Sequence, residues 1–151
     1  MGTIFQSALQ TSKGLDTVAL RVGAGAIFVA HGAQKLFGWY GGYGLEATAN
    51  WMASIGLEPG MLMAALAGGV EFFGGLLLIV GLLVRPVALL LAATMVVAIV
   101  SVHLQNGLFL ANNGYEFGLA LLVISVGLAV RGAGSLSADL ALQARMTSQS
   151  I

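Results

Sequence analysis

The chain has 151 residues, of which 58% are hydrophobic and 8% are charged, and six Lys and Arg balance six Asp and Glu. Its mean hydropathy is +0.95. Because a soluble domain carries about 25% charged residues, this composition excludes a soluble enzyme, a disordered chain and a nucleic-acid-binding protein. The absence of cysteine excludes a dithiol mechanism and a cysteine-ligated zinc or iron–sulfur site. The remaining class is a polytopic membrane protein with a single domain, residues 1–151.

Four apolar segments are long enough to cross a membrane, which takes about 17–25 mainly apolar residues per helix. They lie near residues 17–37, 61–84, 86–104 and 115–130. Proline is tolerated in the first turn of a helix, so we expect Pro86 to open the third span and Arg85 to lie in a short turn before it. The predicted fold is therefore all-α, a bundle of four transmembrane helices with short interfacial helices.

Two shorter segments are amphipathic. In residues 45–55, apolar side chains recur at helical spacing beside Trp51, which predicts a helix lying on the outer membrane surface. A similar cluster within residues 4–9, just before Lys13, indicates a second surface helix on the cytoplasmic side.

The basic residues predict the orientation, because Lys and Arg in short loops accumulate on the cytoplasmic side. With four spans, both termini share one side with the turn between spans two and three. Five of the six basic residues belong to that side, namely Lys13, Arg21, Arg85, Arg131 and Arg145. Only Lys35 lies towards the opposite side. We therefore expect a multi-pass protein of the inner (cytoplasmic) membrane with both termini in the cytoplasm.

Ionisable side chains within spans are costly and usually face the bundle interior or a watery cavity. The candidates are Arg21, His31, Lys35, Glu71, His103 and Glu116. At a rise of about 1.5 Å per residue, Glu71 lies roughly 15 Å below the outer surface. All the candidates except Arg21 fall in the outer half of one bundle, and each helix contributes at least one. This convergence predicts one polar pocket open towards the outer side.

Each of these residues also has a structural interpretation. Arg21 could extend to the inner interface or pair with Asp16, and Lys35 could extend to the outer interface. His103 and Glu116 could be solvated at helix ends. Glu71 has apolar sequence on both sides, so it requires a partner or a site.

Three kinds of chemistry remain open for such a pocket. The two histidines could ligate a non-covalent haem, and four His and Glu side chains could hold a metal. No ligand spacing motif supports either alternative, so we assign no metal site. The third is proton-coupled handling of a quinone, which needs a hydrogen bond at each ring oxygen and a path for protons. No nucleotide-binding glycine loop follows a strand, so hydride chemistry would belong to a partner.

Several segments resemble DoxX-type membrane proteins, from about residue 17 to residue 142. The matching stretches are Arg21-Val-Gly-Ala-Gly25, His31-Gly-Ala-Gln-Lys-Leu-Phe-Gly38, Glu71-Phe-Phe-Gly-Gly-Leu-Leu-Leu-Ile-Val-Gly81, Arg85-Pro86, Val102-His103, Gly114-Tyr-Glu116-Phe and Gly132-Ala-Gly134-Ser-Leu-Ser-Ala-Asp139. The last stretch departs from the family pattern by one alanine before the aspartate. The family's recurrent polar positions correspond here to Arg21, His31, Gln34, Lys35, Glu71, His103 and Glu116.

The resemblance implies a four-helix membrane bundle with a redox role. Some members are subunits of a thiosulfate:quinone oxidoreductase, and others act with redox partners in oxidative or thiol stress or in quinone detoxification. We therefore expect a quinone-linked redox component, as a subunit of a quinone-dependent oxidoreductase, with quinone as its cofactor.

The residue roles follow from that expectation. Glu71 and His31 would exchange protons and hydrogen-bond a quinone oxygen as the catalytic pair. The expected binding residues are Lys35, Gln34, His103, Glu116 and Arg21. Expected partners are the lipid bilayer, a soluble or membrane redox protein and a second copy of the chain, with no nucleic acid. The alternatives are a non-catalytic anchor for a soluble redox enzyme and a small-solute permease.

Overall fold

The structure is a computed structural model that describes residues 14–148, and within this part of the chain it contains helices and turns but no strand. The α-helices are α1 (Val18–Phe37), α2 (Gly44–Ser54), α3 (Gly60–Val80), α4 (Val84–Ala98), α5 (Glu116–Arg131) and α6 (Ala138–Ser148). Shorter helical turns are Trp39–Gly41, Ile99–His103, Leu104–Asn106 and Leu110–Asn112. The surface helix expected within residues 4–9 lies outside the described residues.

The helix boundaries follow the sequence closely except between α3 and α4. Helices α1, α2 and α5 begin and end within about one residue of the predicted segments. Helix α3 ends at Val80, because Gly81 adopts a left-handed conformation (φ 74°) that stops the helix. Helix α4 begins at Val84, so the expectation that Arg85 lies in the turn was wrong. Pro86 does lie in the first helical turn, as predicted.

Within residues 14–148, two helical segments are long and apolar enough to cross a membrane on their own. They are Gly60–Val80, with a mean hydropathy of 2.0, and the continuous stretch Val84–Asn106, with a mean hydropathy of 2.5. Helices α1 and α5 are not among these two segments. Helix α1 contains the ionisable side chains of Arg21, His31 and Lys35, and α5 has only 16 residues.

The helices associate as two tight pairs, α1 with α3 and α4 with α5. Glycines bring the first pair close together. A Cβ atom on Gly25 would lie 2.7 Å from the carbonyl oxygen of Gly75, and one on Gly75 would lie 2.6 Å from that of Gly25. The two backbones therefore touch, as is typical of small-residue contacts between membrane helices. Helix α2 packs across α3 through Ala49, Met52 and Ala64.

Arg21 closes the end of the bundle where α1 begins and α3 ends, which we call the closed end. Its side chain is buried and donates hydrogen bonds to backbone carbonyls at the end of α3 and after α5. The acceptors are Leu78, Ile79, Ala133, Ser135 and Leu136. A planar guanidinium with five donors suits such a set.

Asp139 of α6 completes the closed end. Its carboxylate accepts hydrogen bonds from the backbone N–H of Leu83 (2.7 Å) and Val84 (3.0 Å), at the start of α4. Burial raises the pKa of the Asp139 carboxyl above its ordinary value, and these N–H groups and the Arg21 charge oppose that shift. The segment after α5 is thereby tied to α1, α3 and α4.

Candidate functional site

A cavity of about 110 Å³ lies at the opposite end of the bundle, between α1, α3, α4 and α5. Four polar side chains line it, His31, Lys35, Glu71 and His103. The remaining walls are mainly apolar, including Phe28, Met95, Leu110, Phe117 and Leu121. Pockets for drug-sized ligands are about 300–1,000 Å³, whereas a cavity of about 150 Å³ accommodates benzene. At about 110 Å³ this cavity is smaller than both, so it has room for at most one small ring or a comparably small group.

Lys35 and Glu71 form an ion pair within this cavity. The Nζ atom of Lys35 lies 2.5 Å from Oε2 of Glu71, and their side chains are 25% and 4% exposed. The contact is possible because the glycines bring α1 and α3 together. Glu71 thus has the partner that its apolar surroundings required, and Lys35 turns inwards to it.

His31 lies one helical turn before Lys35 on α1, on the side facing α5. Its ring centroid is 5.9 Å from that of Phe117, and the two rings are tilted by 44°. Helix α1 makes few contacts with α5. The His31–Phe117 pair therefore bridges the loosest seam around the cavity.

His103 reaches the cavity from the end of α4. The helix continues beyond Ala98 into a π-helical turn, Ile99–His103, in which one extra residue per turn changes the direction of the side chains. Such turns are common at functional sites. The Nδ1 atom of His103 lies 2.9 Å from the carbonyl oxygen of Asn113. Hydropathy and residue spacing carry no signal for a π-helical turn, so the sequence predicted His103 as a binding residue but not how its side chain reaches the cavity.

Glu116 and Gln34 lie beside the cavity and do not line it. The carboxylate of Glu116 accepts a 2.6 Å hydrogen bond from the backbone N–H of Leu110, and its own N–H donates to the carbonyl of Leu108. Glu116 therefore positions the loop whose Leu110 covers the cavity. Gln34 donates from Nε2 to the carbonyl of Tyr40, at 3.2 Å.

Arg21 is separate from the cavity, because its guanidinium is held by carbonyls at the closed end. It therefore does not form one site with His31, Lys35 and Glu71, contrary to the sequence expectation. The alternative pairing with Asp16 was also wrong, since Asp16 pairs with Arg131 at 2.7 Å.

The structure does not assemble the four-ligand metal site considered from the sequence. Among residues 14–148, no three His, Asp or Glu side chains come together as candidate metal ligands. Glu71 is paired with Lys35, and Glu116 is directed to the loop backbone. The cavity volume also corresponds to one small ring, which is far less than a haem macrocycle needs.

An apolar layer separates the cavity from Arg21. Phe28, Leu78, Leu91, Leu121 and Leu128 are at most 4% exposed and belong to one packed cluster. Phe28 and Leu121 form part of the cavity wall, and the carbonyl of Leu78 binds Arg21. The polar groups of the cavity therefore face only the end of the bundle that carries α2.

Residues 14–148 thus form a helical bundle with two helices long and apolar enough to cross a membrane, and ionisable side chains line a small cavity at one end of it. The family model described as DoxX matches residues 17–104, more than half of the chain. The chain therefore belongs to the DoxX family of membrane proteins, and its apolar helices contact the lipid bilayer.

Two relatives extend this finding. The chain is 37% identical over 125 residues to a Bacillus subtilis protein named "Putative oxidoreductase CatD", covering 83% of this chain and 85% of the relative. It is 36% identical over 98 residues to an uncharacterised protein of Haemophilus influenzae, covering 60% of this chain and 65% of the relative. No solved structure matches the chain significantly.

Proposed function

We propose that this protein is a membrane component of a quinone-linked redox system and that its cavity holds the ring of a quinone. The observation that carries the proposal is the Lys35–Glu71 ion pair, set with two histidines in a cavity of about 110 Å³. Lys35 supplies donors for a ring oxygen, and His31 and Glu71 can exchange protons near it. The relative named an oxidoreductase supports the redox class.

The loose packing between α1 and α5 supports a ligand that arrives from the membrane. Phe117 lines the cavity and is also 37% exposed on the surface of α5. Because α1 and α5 touch only loosely there, a ring can occupy the cavity while an apolar tail remains among lipids. This is the geometry that a tailed quinone needs.

We propose further that the protein lies in the inner (cytoplasmic) membrane and crosses it four times, through α1, α3, α4 and α5. Both termini would then lie in the cytoplasm. The closed end supports this orientation, because Arg21 and Arg131 both lie there. Arg85 donates to the carbonyl of Ala129 at the same end. Arginine concentrated at one end favours the cytoplasmic side for that end.

The apolar layer favours a quinone site over a permease. A solute pathway would have to cross Leu78, Leu91 and Leu128, which are fully or almost fully buried. The cavity thus resembles a one-sided binding site. Its redox partner would act with it at the membrane, as a subunit of the same oxidoreductase or as a second copy of the chain.

Binding of a short-tailed benzoquinone to the protein in lipid nanodiscs tests the proposal. We expect Glu71→Gln and His31→Ala to weaken binding at least about tenfold, the equivalent of one lost hydrogen bond to a charged or polar partner. Gly69→Ala is the matched control, because a Cβ atom there meets nothing within 4 Å. Unchanged affinity in the Glu71 and His31 variants would refute the assignment and favour a scaffold for a soluble redox enzyme.

A further inference from the structure

The hydrogen bond between His103 and Asn113 determines which ring nitrogen of His103 carries a proton. A carbonyl oxygen can only accept, so Nδ1 must donate across the 2.9 Å contact. In the neutral imidazole, Nε2 is then unprotonated and acts as a hydrogen-bond acceptor. Among residues 14–148, no protein hydrogen bond to Nε2 accompanies the one at Nδ1.

The Asn113 carbonyl is itself held in place. Asn113 adopts a left-handed conformation, with φ 60°, which asparagine tolerates better than most residues. The side-chain amide of Asn106 donates to the same carbonyl at 3.2 Å. The N–H of Gly114 also closes the loop onto the carbonyl of Phe109, at 3.0 Å. The acceptor that sets the His103 tautomer is therefore part of a rigid loop.

The other polar groups of the cavity, Lys35, Glu71 and His31, make different contacts. The ammonium of Lys35 is only a donor, and Oε2 of Glu71 accepts a hydrogen bond from it. His31 contacts the ring of Phe117. His103 therefore adds an acceptor to a cavity in which Lys35 supplies the donors.

A quinone and its quinol differ in what they offer to this acceptor. The oxygens of the oxidised ring are carbonyls and cannot donate, whereas the hydroxyls of the reduced ring both donate and accept. A hydroxyl of the reduced ring can therefore donate to Nε2 of His103 while the ring accepts from Lys35, whereas the oxidised ring can satisfy only Lys35. Resting on the function proposed above, we propose that His103 makes the cavity selective for the reduced, hydroxyl-bearing ring.

Nuclear magnetic resonance of the protein with ¹⁵N-labelled histidine in nanodiscs tests the tautomer directly. The chain has only two histidines, and a His31→Gln variant assigns their signals. We expect Nδ1 of His103 to be protonated and Nε2 to be unprotonated. We also expect a short-tailed hydroquinone, kept reduced under argon, to shift the Nε2 signal. A neutral His103 protonated at Nε2 would overturn the proposal.

Affinity measurements separate the role of His103 from its role in the loop. The reduced ring should bind about tenfold more tightly than the oxidised ring with the same substituents, since one hydrogen bond distinguishes them. In His103→Asn, the side-chain amide can still donate to Asn113, but it offers no group at the Nε2 position. We expect that variant to retain the protein's melting temperature and to bind both ring forms equally.

Each other outcome is also decisive. If both forms bind equally to the wild type, and His31→Ala still weakens them, the quinone site stands and the selectivity is wrong. If His103→Asn keeps the preference for the reduced ring, another residue provides it. If neither form binds the wild-type protein, both this inference and the proposed function fail.

Discussion

Nζ of Lys35 on α1 lies 2.5 Å from Oε2 of Glu71 on α3, and the two side chains differ in exposure, 25% against 4%. Lysine could therefore reach water if it lost its partner, whereas the glutamate could not. The pair keeps the cavity neutral while concentrating both signs of charge inside it. This asymmetry predicts that replacing Lys35 and replacing Glu71 lower the stability of the protein by different amounts.

Lys35→Met should destabilise the protein more than Glu71→Gln. Removing lysine leaves a buried carboxyl without its counter-ion, at a cost of about 3–5 kcal/mol. Removing the carboxylate leaves an ammonium near the cavity mouth, at about 1 kcal/mol or less. Thermal unfolding in detergent micelles measures the order, and the double variant should recover part of the loss. Equal losses for the two single variants would mean that Glu71 reaches water by another route.

Arg21→Lys should destabilise the protein even though the charge is kept. A lysine cannot serve the five carbonyls that the guanidinium binds, and we expect a loss of at least about 3 kcal/mol. The control is Arg131→Gln, because the exposed pair of Arg131 with Asp16 should contribute under about 1 kcal/mol. Chemical denaturation of both variants provides the comparison. A stable Arg21→Lys protein would argue against the closed end as a structural clamp.

Two glycines of α3 should respond oppositely to alanine. Gly75→Ala places a Cβ atom 2.6 Å from the Gly25 carbonyl, so the α1–α3 pair must separate, and we expect a loss of about 1–3 kcal/mol. Gly69→Ala meets open space and should gain up to about 1 kcal/mol from helix propensity. Melting temperatures of the two variants test this. If both substitutions were neutral, the close backbone contact would be wrong.

The helices were largely predictable, because hydropathy periods define helices wherever the apolar run is long. The helix end at Gly81 was missed, since Leu82, Leu83 and Val84 continue the apolar pattern through the turn. Only the left-handed backbone at Gly81 and Leu83 marks the break. Apolar composition does not report that conformation.

The four polar residues that line the cavity were all among the predicted candidates, but the sequence did not show which candidates lie together. The cost of a charge in an apolar span correctly required a partner for Glu71, and Lys35 provides it. The same reasoning grouped Arg21 with the pocket, because burial alone does not say which end of a bundle holds a side chain. Its carbonyl partners after α5 are more than 110 residues away in sequence, so no local pattern could reveal them.

The proposed four-span orientation can be tested by cysteine labelling, because the chain contains no cysteine of its own that would have to be removed first. Single cysteines at Asn50 in α2 and at Gln143 in α6 should lie on opposite sides of the membrane. We expect a membrane-impermeant maleimide to label Asn50→Cys in intact spheroplasts and Gln143→Cys only after permeabilisation. Labelling of both from the same side would contradict an even number of spans with cytoplasmic termini.

Photoaffinity labelling with an azido-benzoquinone in nanodiscs tests the central claim most directly, because it reports where the ring sits. We predict that the label attaches to cavity residues of α1 and α5, including His31 or Phe117, and that excess unlabelled quinone prevents it. A second, purely apolar groove between α3 and α4, lined by Leu66, Gly69 and Phe73, provides an internal comparison. Labelling confined to that groove, or unaffected by competitor, would contradict a quinone site at the Lys35–Glu71 pair.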